Sequence, residues 1–301
     1  MEFNIEGIWS PMPTPLDRYG KVDIPKIGAV VDYLIEGGID GLFPLGTTGE
    51  FAMLDREERR TVIREVVESA GKRVPVLAGI SDPSLENIIE FARDASAAGA
   101  DGLVATPPYY YSVGDEGIVN HYRNIHEHVE LPLLIYNIPE WTHNPVSPTA
   151  LKELADEDIV AGMKYTENNL FNLLRYIDVA GDRIAIFTGS DAMALTCLEF
   201  GGRGAVVSMS NVWPAKAASI FDHYREGRID EARKAQKELL PVIEAVGIGH
   251  FPAGLKEAMA QVGMNVGGVK KPLEQASRKE RNDIRRLLEK TGLSLNRRLR
   301  T

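Results

Sequence analysis

The stretch "IVAGMKYTENN", Ile159 to Asn169, reads as a buried strand until it reaches Lys164, where an ammonium group stands at the edge of an apolar run. An amine inside an apolar enclosure loses hydration, which disfavours its charged form. The neutral amine is a nucleophile toward carbonyl carbon and forms a Schiff base. The plain alternative is a rim lysine that snorkels into water or pairs with Glu167. Two other stretches bear on the choice. "GTTGE", Gly46 to Glu50, sets two threonine hydroxyls and backbone N–H groups in a glycine-flanked turn, a concavity suited to a small anion such as a carboxylate. By itself it is also what an ordinary turn looks like, and it lacks the spacing and the lysine of a P-loop. "YNIP" places Tyr136 one apolar run before Lys164. A phenol there can move protons during Schiff-base chemistry, or it can be a rim aromatic with a satisfied hydroxyl.

Metal chemistry finds no comparable set of residues. His121, His126 and His128 lie in "HYRNIHEHVE" at offsets of five and seven, which do not match the i, i+4 pair of a helical zinc site, and a solvated face is expected for them. His143 and His250 stand alone and receive no role. Cys197 is the only cysteine, so an internal disulfide and a cysteine-based zinc site are both excluded. No metal and no cofactor are expected.

The elements that position these residues are legible as eight short apolar runs: "GIWSPMPTP", "GLFPLG", "VPVLAGI", "GLVATPP", "PLLIYNIP", "IVAGMKY", "IAIFTGS" and "GAVVSMS". Most are too short for helices and rich in Val, Ile and Leu, as parallel strands buried on both faces should be. Helical patterns lie between them. "DREERRTVIREVVESAG" has acids in its first turn and glycine at its end, and "SLENIIEFARDASAAG" opens on Ser84 and closes on Gly99. Strand then helix, eight times, predicts an α/β (β/α)₈ barrel over residues 1–226. Residues 227–301 predict a three-helix C-terminal extension packed on it: "IDEARKAQKELLPVIEAV", "AGLKEAMAQVG" and "RKERNDIRRLLEKTG". A doubly wound sheet competes, but "SPMPTP" after the first strand is not a glycine-rich dinucleotide turn. In a barrel, chemistry sits at the C-terminal strand ends. Six ends here are polar and converge on one rim: "GTTGE", "TPPYYY", "YNIP", "MKYT", "TGSD" and "SMSN".

The totals set the remaining bounds. A net charge of -9 argues against a nucleic-acid backbone or acidic membrane as partner, since both call for basic surfaces. The basic tail "NRRLRT" is expected to be solvated. There is no apolar run long enough to span a bilayer and no signal-peptide pattern in "MEFNIEG", so a cytoplasmic protein is expected.

"GLFPLGTTGEF", "TPPYYY", "LPLLIYNIP", "GMKYTENN" and "FTGSDAMAL", in this order and at these spacings, closely resemble the dihydrodipicolinate synthase / N-acetylneuraminate lyase family of class I, pyruvate-type aldolases, over nearly the whole chain. The resemblance implies that Lys164 forms an imine with C2 of pyruvate or a related 2-oxo acid. It implies that Tyr136 transfers protons, with Thr47 and Tyr110 completing a hydroxyl relay to solvent. Thr47 and Thr48 would hold the carboxylate, with Val206 lining the same pocket, and Thr166, Gly189 and Ser190 would face the rest of the substrate. Tyr110 would reach into a neighbouring subunit, which implies a homotetramer built as a dimer of dimers. The small-molecule partners would be pyruvate plus an aldehyde, or a 2-oxo sugar acid.

One departure bears on substrate. Synthases of the family usually carry, after the "YN-P" turn, an arginine that grips the carboxylate of aspartate semialdehyde. This chain reads "YNIPEWTHN", with Trp141 two residues after Pro139, and an indole offers only one neutral donor. Thr166 and Ser190 look more like hydroxyl partners of a polyhydroxylated chain. The expectation is therefore a 2-keto-3-deoxy sugar acid aldolase, with dihydrodipicolinate synthase second unless an arginine such as Arg18 or Arg203 arrives from elsewhere. A non-catalytic barrel that binds 2-oxo acids is the remote third.

Overall fold

The computed structural model describes residues 5–295. Each of the eight apolar runs contributes one strand: β1 (Gly7–Pro11), β2 (Gly41–Phe43), β3 (Leu77–Gly79), β4 (Gly102–Ala105), β5 (Leu133–Asn137), β6 (Gly162–Tyr165), β7 (Ala185–Thr188) and β8 (Gly204–Val206). All pairings are parallel, in the order β2-β1-β8-β7-β6-β5-β4-β3, and a single bridge between Leu42 and Val76 joins the two ends of the sheet. This is the (β/α)₈ barrel expected from the sequence. Strands so enclosed are buried on both faces, which is why their sequences show continuous apolar runs rather than alternation. One face packs a barrel interior of Ile5, Trp9, Phe43, Leu134, Phe187 and Val206; the other packs against the surrounding helices. Among the described residues no helix is long and apolar enough to cross a membrane.

The helices begin and end where their sequences provide caps. Arg56–Ala70 opens on a capping box, in which Asp55 and Glu58 each accept the other's backbone N–H, and it closes on Gly71 in the left-handed region. Leu85–Ala98 is capped by Ser84 and ends at Gly99, φ 86°. In the C-terminal part, "IDEARKAQKELLPVIEAV" divides at Leu239 into Ile229–Glu238 and Leu240–Val246, not the single helix expected. Pro241 has no N–H to carry the intrahelical ladder across the join. Ala253–Gln261 and Arg278–Leu288 follow as expected. Leu239, Val242, Leu255, Met259 and Ile284 continue the apolar layer of the barrel helices without a break. The boundary expected after residue 226 falls in the turn between Pro214–Arg225 and Ile229–Glu238. The tail "NRRLRT" lies outside the described residues. His121 departs from the solvated face expected for it: it is partly buried with Nε2 3.3 Å from the Thr106 carbonyl, and burial pushes it down to about 4.

Where the sheet closes, the loop after β2 crosses the end of β3. Leu45 takes a left-handed conformation, φ 61°, and its carbonyl passes so close to Gly79 that a Cβ there would lie 2.1 Å from the oxygen. Glycine is what lets the two backbones approach.

Asp40 ties the opposite, N-terminal end of the barrel. Its Oδ2 accepts the Ile8 N–H at 2.7 Å; burial pushes the carboxyl up to about 6, against the pull of that hydrogen bond. The folded chain therefore holds this proton more tightly than the unfolded chain does. The associated stability is present below about pH 4 and is lost as pH rises through about 6. Asp40→Asn cannot ionise. The difference in urea midpoint, wild type minus variant, should fall between pH 4 and 6 and be flat above; a flat difference throughout would show that Asp40 does not titrate there.

Candidate active site

β5 and β6 set Tyr136 beside Lys164 in register, and β7 places Phe187 on the other side. Lys164 is 6% exposed, so it does not snorkel. Its Nζ lies 4.2 Å from the centroid of the Tyr136 ring and 5.2 Å from that of Phe43. Below it the barrel interior offers Trp9, Leu134, Phe187 and Val206 around a small apolar void. Glu167, the partner that would have made Lys164 an ordinary ion-pair lysine, instead accepts a short hydrogen bond from the Tyr165 hydroxyl. Among the described residues no carboxylate lies within ion-pair distance of Lys164. The amine is thus held against π faces and hydrocarbon.

The loop after β2 supplies the facing wall. Thr47 Oγ1 and the Tyr136 hydroxyl are 3.1 Å apart, and Thr48 is buried beside them. The Phe43 and Tyr136 rings meet edge to face at 5.7 Å, which fixes the plane of the phenol. Above these groups opens a cleft of about 460 Å³ lined by Thr47, Tyr136, Lys164, Thr166, Ser190 and Val206, with Thr48 and Gly189 at its wall. Gly189 follows β7 and donates its N–H to the Tyr165 carbonyl at 2.6 Å. A Cβ there would stand 2.0 Å from Thr166 Oγ1 and 2.8 Å from Lys164 Cε, so only glycine leaves the space over the amine open. Thr166 Oγ1 is buried without a hydrogen-bond partner, whereas Ser190 Oγ donates to Asn168 Oδ1 at 2.5 Å.

Tyr110 is not brought to this cleft. It stands 84% exposed at φ 81°, its ring 5.0 Å from that of Tyr111. Within one chain the hydroxyl series therefore runs from Tyr136 to Thr47 and stops. Beside the cleft is an apolar hollow of about 140 Å³, lined by Phe51, Met53, Tyr109, Ile138, Trp141 and Leu273. Neither arginine named above enters the cleft: Arg18 is exposed with its Nη2 on the Tyr19 hydroxyl, and Arg203 precedes β8 at the far end of the barrel.

Several lining groups received no role from the sequence. Asp191, two residues after Gly189, is partly buried and accepts the Met209 N–H at 2.5 Å. Burial pushes its carboxyl up to about 6, opposed by the Met209 and Ser208 N–H groups and by the charge of Lys164. Glu140 and Glu167 bring the carboxylates lining the cleft to three, and Lys164 is the only cation among the lining residues. The "TGSD" and "YTENN" strings contained Asp191 and Glu167, and their place at strand ends was the available signal. Ile243, Gly247 and Phe251 come from the C-terminal helices and roof the cleft; nothing in their local sequence marks them.

A barrel with one buried amine at its rim, a phenol in hydrogen-bond contact with a threonine hydroxyl and a small-anion turn facing both is built as a carbon–carbon lyase of the class I aldolase type. The chain belongs to the Dihydrodipicolinate synthetase family, whose pattern matches residues 4–291. It is 32% identical over 276 residues to a 4-hydroxy-tetrahydrodipicolinate synthase of Syntrophus aciditrophicus, covering 92% of this chain and 95% of that one. A synthase of the same name from Pelobacter propionicus is 33% identical over 276 residues, with the same coverage. Among solved structures, YagE, a prophage protein of the dihydrodipicolinic acid synthase family from E. coli K12 in complex with pyruvate, superposes with TM-score 0.93 at 29% identity, covering 98% of this chain and all of that one. A dihydrodipicolinate synthase from Aquifex aeolicus gives TM-score 0.93 at 27% identity, covering 97% of this chain and all of that one.

Proposed function

We propose that the chain forms a Schiff base between Lys164 and pyruvate, or a 2-oxo acid that yields pyruvate, and makes or breaks a carbon–carbon bond at the pyruvate methyl carbon. The observation that carries this is the Lys164 amine, buried without a carboxylate partner and faced by the Tyr136–Thr47 pair. The neutral amine attacks C2 and water leaves, giving an iminium. Thr47, Thr48 and the turn's N–H groups hold the carboxylate. Loss of a proton from the methyl carbon gives an enamine, whose electron pair attacks the aldehyde carbon. The aldehyde oxygen takes up a proton, for which the Tyr136 hydroxyl is the nearest donor, and water then releases the product from Lys164. The iminium is the only electron sink this sequence uses, so it draws on no additional cofactor. Residues 227–295 belong to the same unit, since they complete the roof of the cleft.

The names of the relatives favour aspartate semialdehyde as the aldehyde, and hence a 4-hydroxy-tetrahydrodipicolinate synthase, over the 2-keto-3-deoxy sugar acid aldolase that the sequence analysis placed first. The cleft supports that reading at one end of the molecule, because Glu140 and Glu167 suit the ammonium of aspartate semialdehyde. A second reading rests on the other end. The aldehyde's carboxylate meets no arginine among the lining residues, whereas a neutral polyol needs none and can use the unpartnered Thr166 hydroxyl. Assembly is proposed on the exposure of Tyr110 and Tyr111 beside the apolar hollow: Tyr110 enters a neighbouring subunit and extends the Thr47–Tyr136 pair there, in a dimer of dimers. A structure titled as a monomeric dihydrodipicolinate synthase variant, at 27% identity and TM-score 0.92, makes this a property to be measured.

Borohydride added with pyruvate should leave a reduced adduct on Lys164, located by peptide mass spectrometry. An adduct on another lysine, or none, removes the mechanism. With pyruvate saturating, kcat/KM should be higher for aspartate semialdehyde than for glyceraldehyde. Charge-assisted hydrogen bonds are worth about 1.5–3 kcal/mol, or roughly ten- to hundredfold, so a preference for glyceraldehyde of that size would install the sugar-acid reading. Sedimentation should show no monomer at assay concentration, and an active monomer would discard the role given to Tyr110.

A further inference from the structure

Glu50 ends the "GTTGE" turn in the left-handed region, φ 56°, with its side chain 5% exposed. Its Oε1 lies 2.5 Å from Lys256 Nζ, and its Oε2 accepts the Lys270 N–H at 2.7 Å. Lys256 is 2% exposed and spends its other two protons on the carbonyls of Thr14 and Gly268, each at 2.8 Å. The buried ammonium is thus held by one carboxylate and two backbone carbonyls. The Thr14 hydroxyl in turn donates to the Gly49 carbonyl at 2.7 Å. One turn further on, Lys270 Nζ meets Glu58 Oε2 at 2.5 Å, on the helix that follows the turn. The end of the turn is therefore fastened at several points to the C-terminal segment, and Thr47 and Thr48 lie two or three residues from the buried pair.

A buried ion pair is a poor device for stability, because desolvating two charges consumes most of the attraction between them. It is a good device for fixing a position, because both groups are costly to leave unpaired. Backbone closure accounts for the turn's shape: Gly49 N–H and Phe51 N–H both reach the Gly46 carbonyl, and Glu50 N–H reaches that of Thr47. It does not account for where the finished turn sits relative to β6. The Glu50–Lys256 pair does, since it joins the turn to the helix Ala253–Gln261, which begins two residues after Phe251 of the cleft lining.

We infer that Glu50 and Lys256 are positioning residues: by clamping the turn to the C-terminal helices they hold the Thr47 and Thr48 hydroxyls at the distance from Lys164 that a 2-oxo acid carboxylate requires. The inference rests on the pyruvate reading above and assigns the C-terminal extension a part in binding the first substrate.

The test compares Glu50→Gln, which keeps the shape and the acceptor for the Lys270 N–H but not the charge, with Lys256→Met, which removes the ammonium. Asp40→Ala serves as a control, because it removes the Ile8 acceptor at the far end of the barrel and weakens the fold without touching the turn. Thermal unfolding, KM for pyruvate and the rate of borohydride trapping on Lys164 are measured for each. Glu50→Gln and Lys256→Met should raise KM for pyruvate about tenfold or more and slow trapping in step. Asp40→Ala should lower Tm with KM unchanged. Wild-type KM and trapping in folded Glu50→Gln and Lys256→Met would overturn the clamp, and so would failure of both to fold, which would assign the pair to stability alone. Absence of an adduct in the unaltered protein would instead refute the pyruvate reading on which the clamp depends.

Discussion

The interaction on which the structure turns is one that Lys164 does not make. A lysine paired with a carboxylate is a charge in an ion pair; Lys164 instead stands against the rings of Phe43 and Tyr136, with no ion-pair partner among the described residues. A closed parallel barrel supplies the apolar enclosure that holds it there. Its strands are buried on both faces and its interior is filled by side chains, so the amine stands at the floor of the cleft over packed aromatic rings. Tyr165, the next residue along the strand, keeps Glu167 occupied and away from the amine.

Around that amine the chain divides its tasks between stiff and adaptable parts. The groups proposed to meet the 2-oxo acid stand on strands or on a fastened turn. Those proposed to face the aldehyde stand on the segments after β5, β6 and β7, and residues of the C-terminal segment complete the lining. This is the division expected when the first half of a reaction is common to a family and the second differs among its members. The carboxylates on these loops make the outer cleft acidic, so a substrate's charge is sorted at the mouth before its shape is tested within.

The sequence disclosed the barrel because parallel strands buried on both faces write themselves as short apolar runs, and glycine and proline punctuate the turns between them. Lys164 was legible because a lysine inside such an apolar run has no structural excuse. Gly189 and Thr166 stood in polar strand ends, and the family resemblance turned them toward the substrate. What escaped was contact between distant segments. Asp191 comes near Lys164 because β6 and β7 are neighbours, and Lys256 reaches Glu50 from the other end of the chain; no local pattern encodes either approach. The break at Leu239 was readable in Pro241 and was outweighed by the helical periodicity on both sides. His121 was misjudged because its helix presents it inward, toward the Thr106 carbonyl, while His126 and His128, five and seven residues further on, face water.

The crossing of Leu45 over Gly79 bears on how such a barrel can change. Eight strands offer eight rim positions for new chemistry, but the mouth of the third is roofed by backbone from the second, and the first polar side chain beyond it, Ser81, is turned to the Thr106 N–H. The rim therefore has a silent sector. A mutation at residue 79 cannot add a group to the site; it can only dislodge the loop that carries Thr47. Innovation in substrate choice is channelled to the opposite arc, where the loops after β5 to β7 are free to vary, and the chain can drift far in what it accepts while the turn that carries Thr47 stays fixed.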